Sequence, residues 1–247
     1  MPSTPPLVDG SELVPSGPWE YAMNAIAVHA FGDAEKISRV VKFDSNGELW
    51  FYFAEIVSRS PKCPELNYEA PQLVQYNECA IFTRIFIENK SYAYCPFMYV
   101  DNDLSLVRGL LAGFPKKIAN IAITKRHKML LTNKLGANAS RSGYGLFKMV
   151  IEIEKEAEYL PFDSFGTWLT RRYFEAMKID ELLLFNFEAK YGKIESGKAF
   201  IEVQGGFNDR FEAFKPVEVR NGYYYEILLR AKGVEKFEPE KVESQEK

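Results

Sequence analysis

"AIFTRIFIENKSYAYCPFMYV", residues 80–100, consists of two aromatic and β-branched runs broken only by Asn89-Lys90. β-Branched and aromatic side chains suit a pleated, half-buried surface, and a two-residue break between such runs predicts a hairpin. The pattern recurs along the chain. "FKMVIEIEKE" (147–156) sets Met149, Ile151 and Ile153 against Glu152 and Glu154, the period-2 pattern of a strand with one face buried. "KAFIEVQGG" (198–206) repeats it and stops at two glycines, and "GYYYEILLR" (222–230) follows an Asn221-Gly222 turn signal. Helical patterns are short. "DAEKISRVV" (33–41) is amphipathic. "DLSLVRGLLAGF" (103–114) spaces Leu104, Val107 and Leu111 at i, i+3 and i+7, opens after acidic capping residues and closes at Gly113 and Pro115. "TWLTRRYFEAM" (167–177) reads as a third helical piece or a loop. Many strands and few helices predict a mainly β (α+β) fold built on a closed or nearly closed antiparallel sheet.

The chain has 247 residues, 47 % of them hydrophobic and 15 % aromatic, which supports a sizeable core. Its formal net charge is −3 with both signs interspersed, so no basic stripe invites nucleic acid or an anionic membrane. No apolar run approaches the roughly 18–20 residues that span a bilayer. The three cysteines, Cys63, Cys79 and Cys95, are scattered and odd in number, as expected of free thiols in a reducing cytoplasm. His29 and His127 are too far apart in sequence, and too short of carboxylate companions, to suggest a metal site. His29 is expected in a core or interface and His127 in a solvated basic turn. Residues 1–18 are expected to form an extended arm, 19–232 a single domain and 233–247 a charged tail.

"LLAGFPKKIANI" (110–121) puts Lys116 and Lys117 inside an apolar run. An ammonium among apolar neighbours needs a partner, a route to water, or work that requires the neutral amine. A neutral amine attacks carbonyl carbons, and the iminium it forms draws electrons from bonds two carbons away. If this segment is extended, the two lysines face opposite ways, and burial rather than the second charge governs the first. The alternative is a surface turn with two solvated lysines.

The wider stretch 76–121 resembles the acetoacetate decarboxylase family. The likeness rests on Tyr76-Asn77-Glu78 opening a strand, on Met98-Tyr99-Val100-Asp101-Asn102, and on Gly113-Phe114-Pro115-Lys116-Lys117, in that order. "GPWEY" (17–21) also resembles the family's entry to its first strand. The resemblance implies a cone-shaped β-barrel with a few short peripheral helices, usually oligomeric, acting without a cofactor. It puts the Schiff-base role on Lys116, Lys117 beside it, and Glu78 in the same pocket as a proton shuttle. On the residues alone Glu78 reads equally as a strand-end carboxylate in solvent.

Two positions depart from the family's decarboxylases. Where they carry an arginine after the entry motif this chain has Asn24, and residues 1–38 hold no arginine. Where they carry a glutamate in the strand matching "LWFYFAEI" it has Tyr52; Glu55, three residues on, faces the other side of a regular strand. Members that keep the lysine but lose such groups resemble enzymes of aldol, retro-aldol or dehydration chemistry on oxo acids. Another cation is then needed for the substrate carboxylate. Arg84 shares a strand face with Glu78 and is the first candidate, its alternative being a cross-strand ion pair; Arg108, on the helix before the lysines, is the second. Phe51, Phe53, Tyr94 and Phe97 are candidates for setting the pocket's size. The functional expectation is a cofactor-free lyase acting on a small oxo acid; the alternative is a non-catalytic oxo-acid binding or sensing protein on the same barrel.

Overall fold

The computed structural model describes residues 6–8, 11–12, 14–15, 17–130 and 132–238. Two short strands, β1 (Pro6–Val8) and β2 (Ser11–Glu12), pair with each other inside the expected arm. The main sheet is built from β3 (Glu20–Phe31), β4 (Asp44–Arg59), β5 (Gln75–Ile87), β6 (Lys90–Val100), β7 (Lys116–Ile118), β8 (Asn120–Ile123), β9 (Lys134–Arg141), β10 (Tyr144–Glu156), β11 (Thr167–Phe174), β12 (Ile179–Val203) and β13 (Glu218–Phe237). The helices are α1 (Ala34–Val41), α2 (Leu66–Glu69) and α3 (Asp103–Leu111).

Neighbouring strands run in the order β11-β6-β5-β4-β3-β13-β12, and β11 pairs β12 as well as β6, so the path returns to its start. The fold is mainly β, as expected, with the sheet closed into a ring. The hairpin expected around Asn89-Lys90 is β5–β6. Pro96 has no N–H for a ladder. It falls in the gap on the free edge of β6, between the residues that meet β11 (Tyr92–Tyr94) and those that meet β7 (Met98–Val100).

Three readings of the sequence are corrected. Residues 167–174 are neither helix nor loop but the strand that closes the ring; only Glu175–Met177 form a 3₁₀ turn. Partners on both edges override the helix-like composition, and Leu169 and Thr170 are fully buried there. Arg171 and Arg172 pair with Asp180 and Glu181 of β12. Asn221-Gly222 is not a turn: β13 runs through it with a register shift, and a Cβ on Gly222 would come within 2.5 Å of Ile151. Residues 233–237, expected in the charged tail, pair with β12 instead; residues 239–247 lie outside the described residues.

Alternation along the ring strands makes two cores. Tyr21, Ala25, Trp50, Tyr52, Tyr76 and Phe82 face into the ring. Ile26, Val28, Phe51, Phe53, Cys79 and Tyr99 face outward and are covered by β8–β10, α1 and Phe211 and Phe214. β12 belongs to both layers: its first half pairs β11 and its second half pairs β10, with an irregularity between Tyr191 and Ile194.

α3 positions the lysines. Asn102 accepts from the Ser105 N–H at 2.8 Å as N-cap, while Asp101 is taken by the backbone of Asn77. The helix ends three residues short of the expected 114. Gly113 turns at φ +82 while the Phe114 N–H reaches back to the Gly109 carbonyl. Pro115 follows, and the chain enters β7.

Candidate active site

β7 runs parallel to β6, with Met98 opposite Lys116 and Tyr99 opposite Lys117. Strand alternation therefore sends the two lysines to opposite faces. Lys116 goes into the ring, where its side chain is 7 % exposed. Its Nζ donates to Glu78 Oε2 at 2.6 Å and to Ser105 Oγ at 2.9 Å. On the other carboxylate oxygen of Glu78, the Tyr52 hydroxyl donates at 2.5 Å. Burial first, and then the negative charge of Glu78, push the Tyr52 phenol well above its ordinary pKa, so it remains a donor. The aliphatic stem of Lys116 lies across Gly109: a Cβ there would stand 2.3 Å from Cδ and 2.4 Å from Cε.

Arg108 comes from the last turn of α3 and is 5 % exposed. Its guanidinium lies 4.2 Å from the Trp19 ring centroid and 4.9 Å from that of Tyr21. Nη2 donates to the Tyr76 hydroxyl at 3.1 Å, whereas Nη1 is buried without a hydrogen-bond partner. Burial raises the phenols of Tyr21 and Tyr76 to about 12 against the opposing pull of Arg108, so neither supplies a counter-charge near neutrality.

These groups converge on a cavity of about 200 Å³ inside the ring. Each of the seven ring strands contributes to its wall, and α3 and β7 add Arg108, Gly109 and Lys116. The rest of the lining is mostly apolar, including Met98, Phe114, Phe162, Trp168, Phe185 and Phe187. An amine, a carboxylate and a phenol in hydrogen-bond contact can pass protons among themselves, and a guanidinium on the same cavity wall supplies positive charge for an anion.

The structure sorts the sequence-derived candidates. Lys116, Glu78, Tyr52 and Arg108 meet at the cavity. Lys117 does not: its Nζ lies 2.7 Å from Asp209 on the outer face, where Asp209 is fully buried and also accepts from Tyr99, Tyr144 and Arg141. Arg84 does not reach the cavity. It shares Glu78's face, but six residues of strand separate them by roughly 20 Å. There it meets Glu48 at 3.3 Å, the cross-strand ion pair that was its alternative, and Glu48 also bonds His29 at 2.9 Å. Asn24 is exposed, and its neighbours Met23 and Ala25 face inward with Tyr21 and Ala27. Phe51 and Phe53 belong to the outer core, Phe97 packs on Phe211 and Phe214, and Tyr94 packs on Phe43, so none of the four lines the cavity. Sequence reasoning missed Ser105, Tyr76 and the aromatic wall. Tyr76 carried a usable signal, since it stands two residues from Glu78 and shares its face. Among the described residues no group of three or more His, Cys, Asp or Glu side chains is close enough to hold a metal ion.

The family model described as acetoacetate decarboxylase matches residues 1–239. No curated protein matches the sequence. Solved structures do match the fold. An acetoacetate decarboxylase-like enzyme from Sphingomonas wittichii RW1 superposes with a TM-score of 0.89 at 22 % identity, over 96 % of this chain and 99 % of that one. The enduracididine biosynthesis enzyme MppR, complexed with pyruvate, gives 0.84 at 18 % identity over 93 % and 94 %. Acetoacetate decarboxylase from Legionella pneumophila gives 0.74 at 10 % identity over 91 % and 88 %. MppR has also been solved with the condensation product of pyruvate and imidazole 4-carboxaldehyde.

Proposed function

The chain belongs to the acetoacetate decarboxylase family, and from that premise we propose that it is a cofactor-independent carbon–carbon lyase that binds an oxo acid as an iminium on Lys116. The observation that carries this reading is the contact of Lys116 with Glu78 inside a largely apolar cavity that Arg108 also lines.

The steps follow from the contacts. Glu78 takes a proton from the Lys116 ammonium, and the freed Nζ attacks the substrate carbonyl carbon to give a carbinolamine. Glu78 returns the proton to the carbinolamine oxygen, water leaves, and a protonated iminium remains. Arg108, the second cation of the lining, receives the substrate carboxylate. The iminium accepts the electron pair of a bond two carbons away, giving an enamine. In a β-keto acid the departing fragment is carbon dioxide; in a β-hydroxy oxo acid it is an aldehyde, whose hydroxyl proton passes to the Glu78 carboxylate. Glu78, reprotonated by solvent after decarboxylation or by the substrate hydroxyl in the retro-aldol case, then protonates the enamine carbon, and water hydrolyses the iminium to free the amine.

Which fragment leaves turns on Asn24 and Tyr52. The arginine and glutamate that the family's decarboxylases carry at those positions are absent, and Asn24 faces away from the cavity. This favours aldol, retro-aldol or dehydration chemistry beside decarboxylation, and MppR, of the same fold, has been solved with a condensation product of pyruvate. The same absence supports a second reading, an oxo-acid binding or sensing protein that keeps the cavity without turnover. A cytoplasmic homo-oligomer is part of the lyase reading.

Incubation with acetoacetate, pyruvate and acetylacetone, followed by borohydride reduction and intact-mass measurement, tests the lyase. A single adduct that Lys116→Ala abolishes is expected. Carbon dioxide release measured against aldehyde exchange then assigns the bond that breaks. Absence of an adduct with all three carbonyl compounds contradicts the iminium and favours the binding protein.

A further inference from the structure

The cavity extends well beyond the reacting groups. β6 meets β7 through the Met98–Lys116 pair and β11 through the Ala93–Trp168 pair, on the same edge. The backbones of Lys116 and Trp168 therefore stand about 16 Å apart along β6, at ~3.3 Å per residue. Both side chains line the one cavity. A three-carbon oxo acid covers roughly 4 Å, about the length of one residue.

The two ends differ in kind. Lys116, Glu78, Tyr52 and Arg108 make the near end polar. At the far end Trp168 stacks on Phe185 with centroids 5.9 Å apart and meets Phe187 at 4.7 Å. Elsewhere on the wall the Tyr191 hydroxyl donates to Asp163 Oδ1 at 2.5 Å, and Asp163 is exposed. Among the described lining residues, Lys116 and Arg108 are the only cations, both at the near end, and Asp163 is the only acid besides Glu78.

We infer that the substrate is an oxo acid whose carbonyl substituent is a flat apolar group, an aromatic ring or its equivalent, with no negative charge at its far end. The inference rests on the iminium reading of Lys116. A ring placed between Lys116 and Trp168 leaves water for aromatic edges and faces. A second carboxylate at the Trp168 end would find no cation to pair it and would share the cavity with the acid of Asp163.

Borohydride trapping as a function of concentration tests this with three probes: pyruvate, 2-oxo-4-phenylbutanoate and 2-oxoglutarate. The phenyl acid is expected to reach half-maximal trapping at a concentration at least about tenfold below that of pyruvate. 2-Oxoglutarate is expected to need the highest concentration. In Trp168→Ala, or in the milder Phe187→Leu should the first fail to fold, the ratio of the pyruvate to the phenyl acid half-maximal concentration falls towards one. Asp163→Asn brings 2-oxoglutarate closer to pyruvate. Equal trapping of pyruvate and the phenyl acid, or preference for 2-oxoglutarate, overturns the substrate class while leaving the iminium standing. No adduct with any probe overturns the iminium and this inference with it.

Discussion

Lys116 and Lys117 leave the same three-residue strand on opposite faces, and each meets a buried carboxylate. Inside the ring, Glu78 accepts from Lys116 and Tyr52 and faces a cavity. Outside it, Asp209 accepts from Lys117, Tyr99, Tyr144 and Arg141. A carboxylate offers about four lone-pair sites. Those of Asp209 are filled by fixed donors that pin residues 208–209 to β6, β7, β9 and β10; those of Glu78 are not filled. A lysine–carboxylate pair thus ties the structure together where every acceptor is taken. It is free for chemistry where acceptor capacity and room remain.

The largest effect is expected from exchanging one lysine for alanine and then the other. Lys116→Ala should lower turnover by at least about 10⁴-fold, the scale on which nucleophile removal acts. Lys117→Ala should leave turnover within about tenfold of the parent and lower stability by about 1–3 kcal/mol, because Asp209 stays buried with one donor fewer. Parallel steady-state assays and urea unfolding read the two halves of this contrast; similar losses of turnover would erase it.

Gly109→Ala sharpens the inner half. The added methyl takes the place of the Lys116 stem, and displacement of a reacting group by about 1 Å costs on the order of 10²-fold in rate. Alanine is the better helix former, so the circular dichroism spectrum of α3 should not weaken. Normal activity in this variant would mean that Lys116 works from another position.

Arg108→Gln removes the guanidinium whose Nη1 has no partner. Loss of a charge-assisted hydrogen bond of about 1.5–3 kcal/mol should raise KM roughly 10- to 100-fold. A change confined to kcat would place the substrate carboxylate elsewhere.

The smallest effect concerns acid. Burial raises the Asp209 pKa, but hydrogen bonds from Lys117, Tyr144 and Tyr99 outweigh it and hold the carboxyl below its ordinary value. A depressed folded-state pKa contributes stability above the unfolded value, near 3.9 for Asp, and that stability is lost as pH falls through the folded value. Asp209→Asn should therefore be less stable than the parent at pH 7, with the gap narrowing below about pH 4. A gap independent of pH would show that Asp209 is not held ionised by its donors.

The β5–β6 hairpin, α1 and the start of α3 were legible because period-2 and period-3.6 patterns and caps are local properties. β11 was not, because its strand character comes from partners on both edges rather than from "TWLTRRYF" itself. Facing was illegible where a strand is buried on both sides. Trp50, Phe51, Tyr52 and Phe53 are all buried, so no polar alternation tells that Trp50 and Tyr52 face into the ring while Phe51 and Phe53 support the outer core. Arg84 was placed on the right face at the wrong distance, since alternation fixes a side and says nothing of length along the strand. The meeting of Lys116 and Glu78 was legible through the family's motifs alone; 38 residues of sequence separate them.

The most direct test of the contrast is peptide mapping of the borohydride-reduced adduct, with every lysine-bearing peptide followed by mass. The account predicts modification of Lys116 and none of Lys117, because only Lys116 opens onto the cavity. An adduct on Lys117, or one shared evenly between the two, would contradict it.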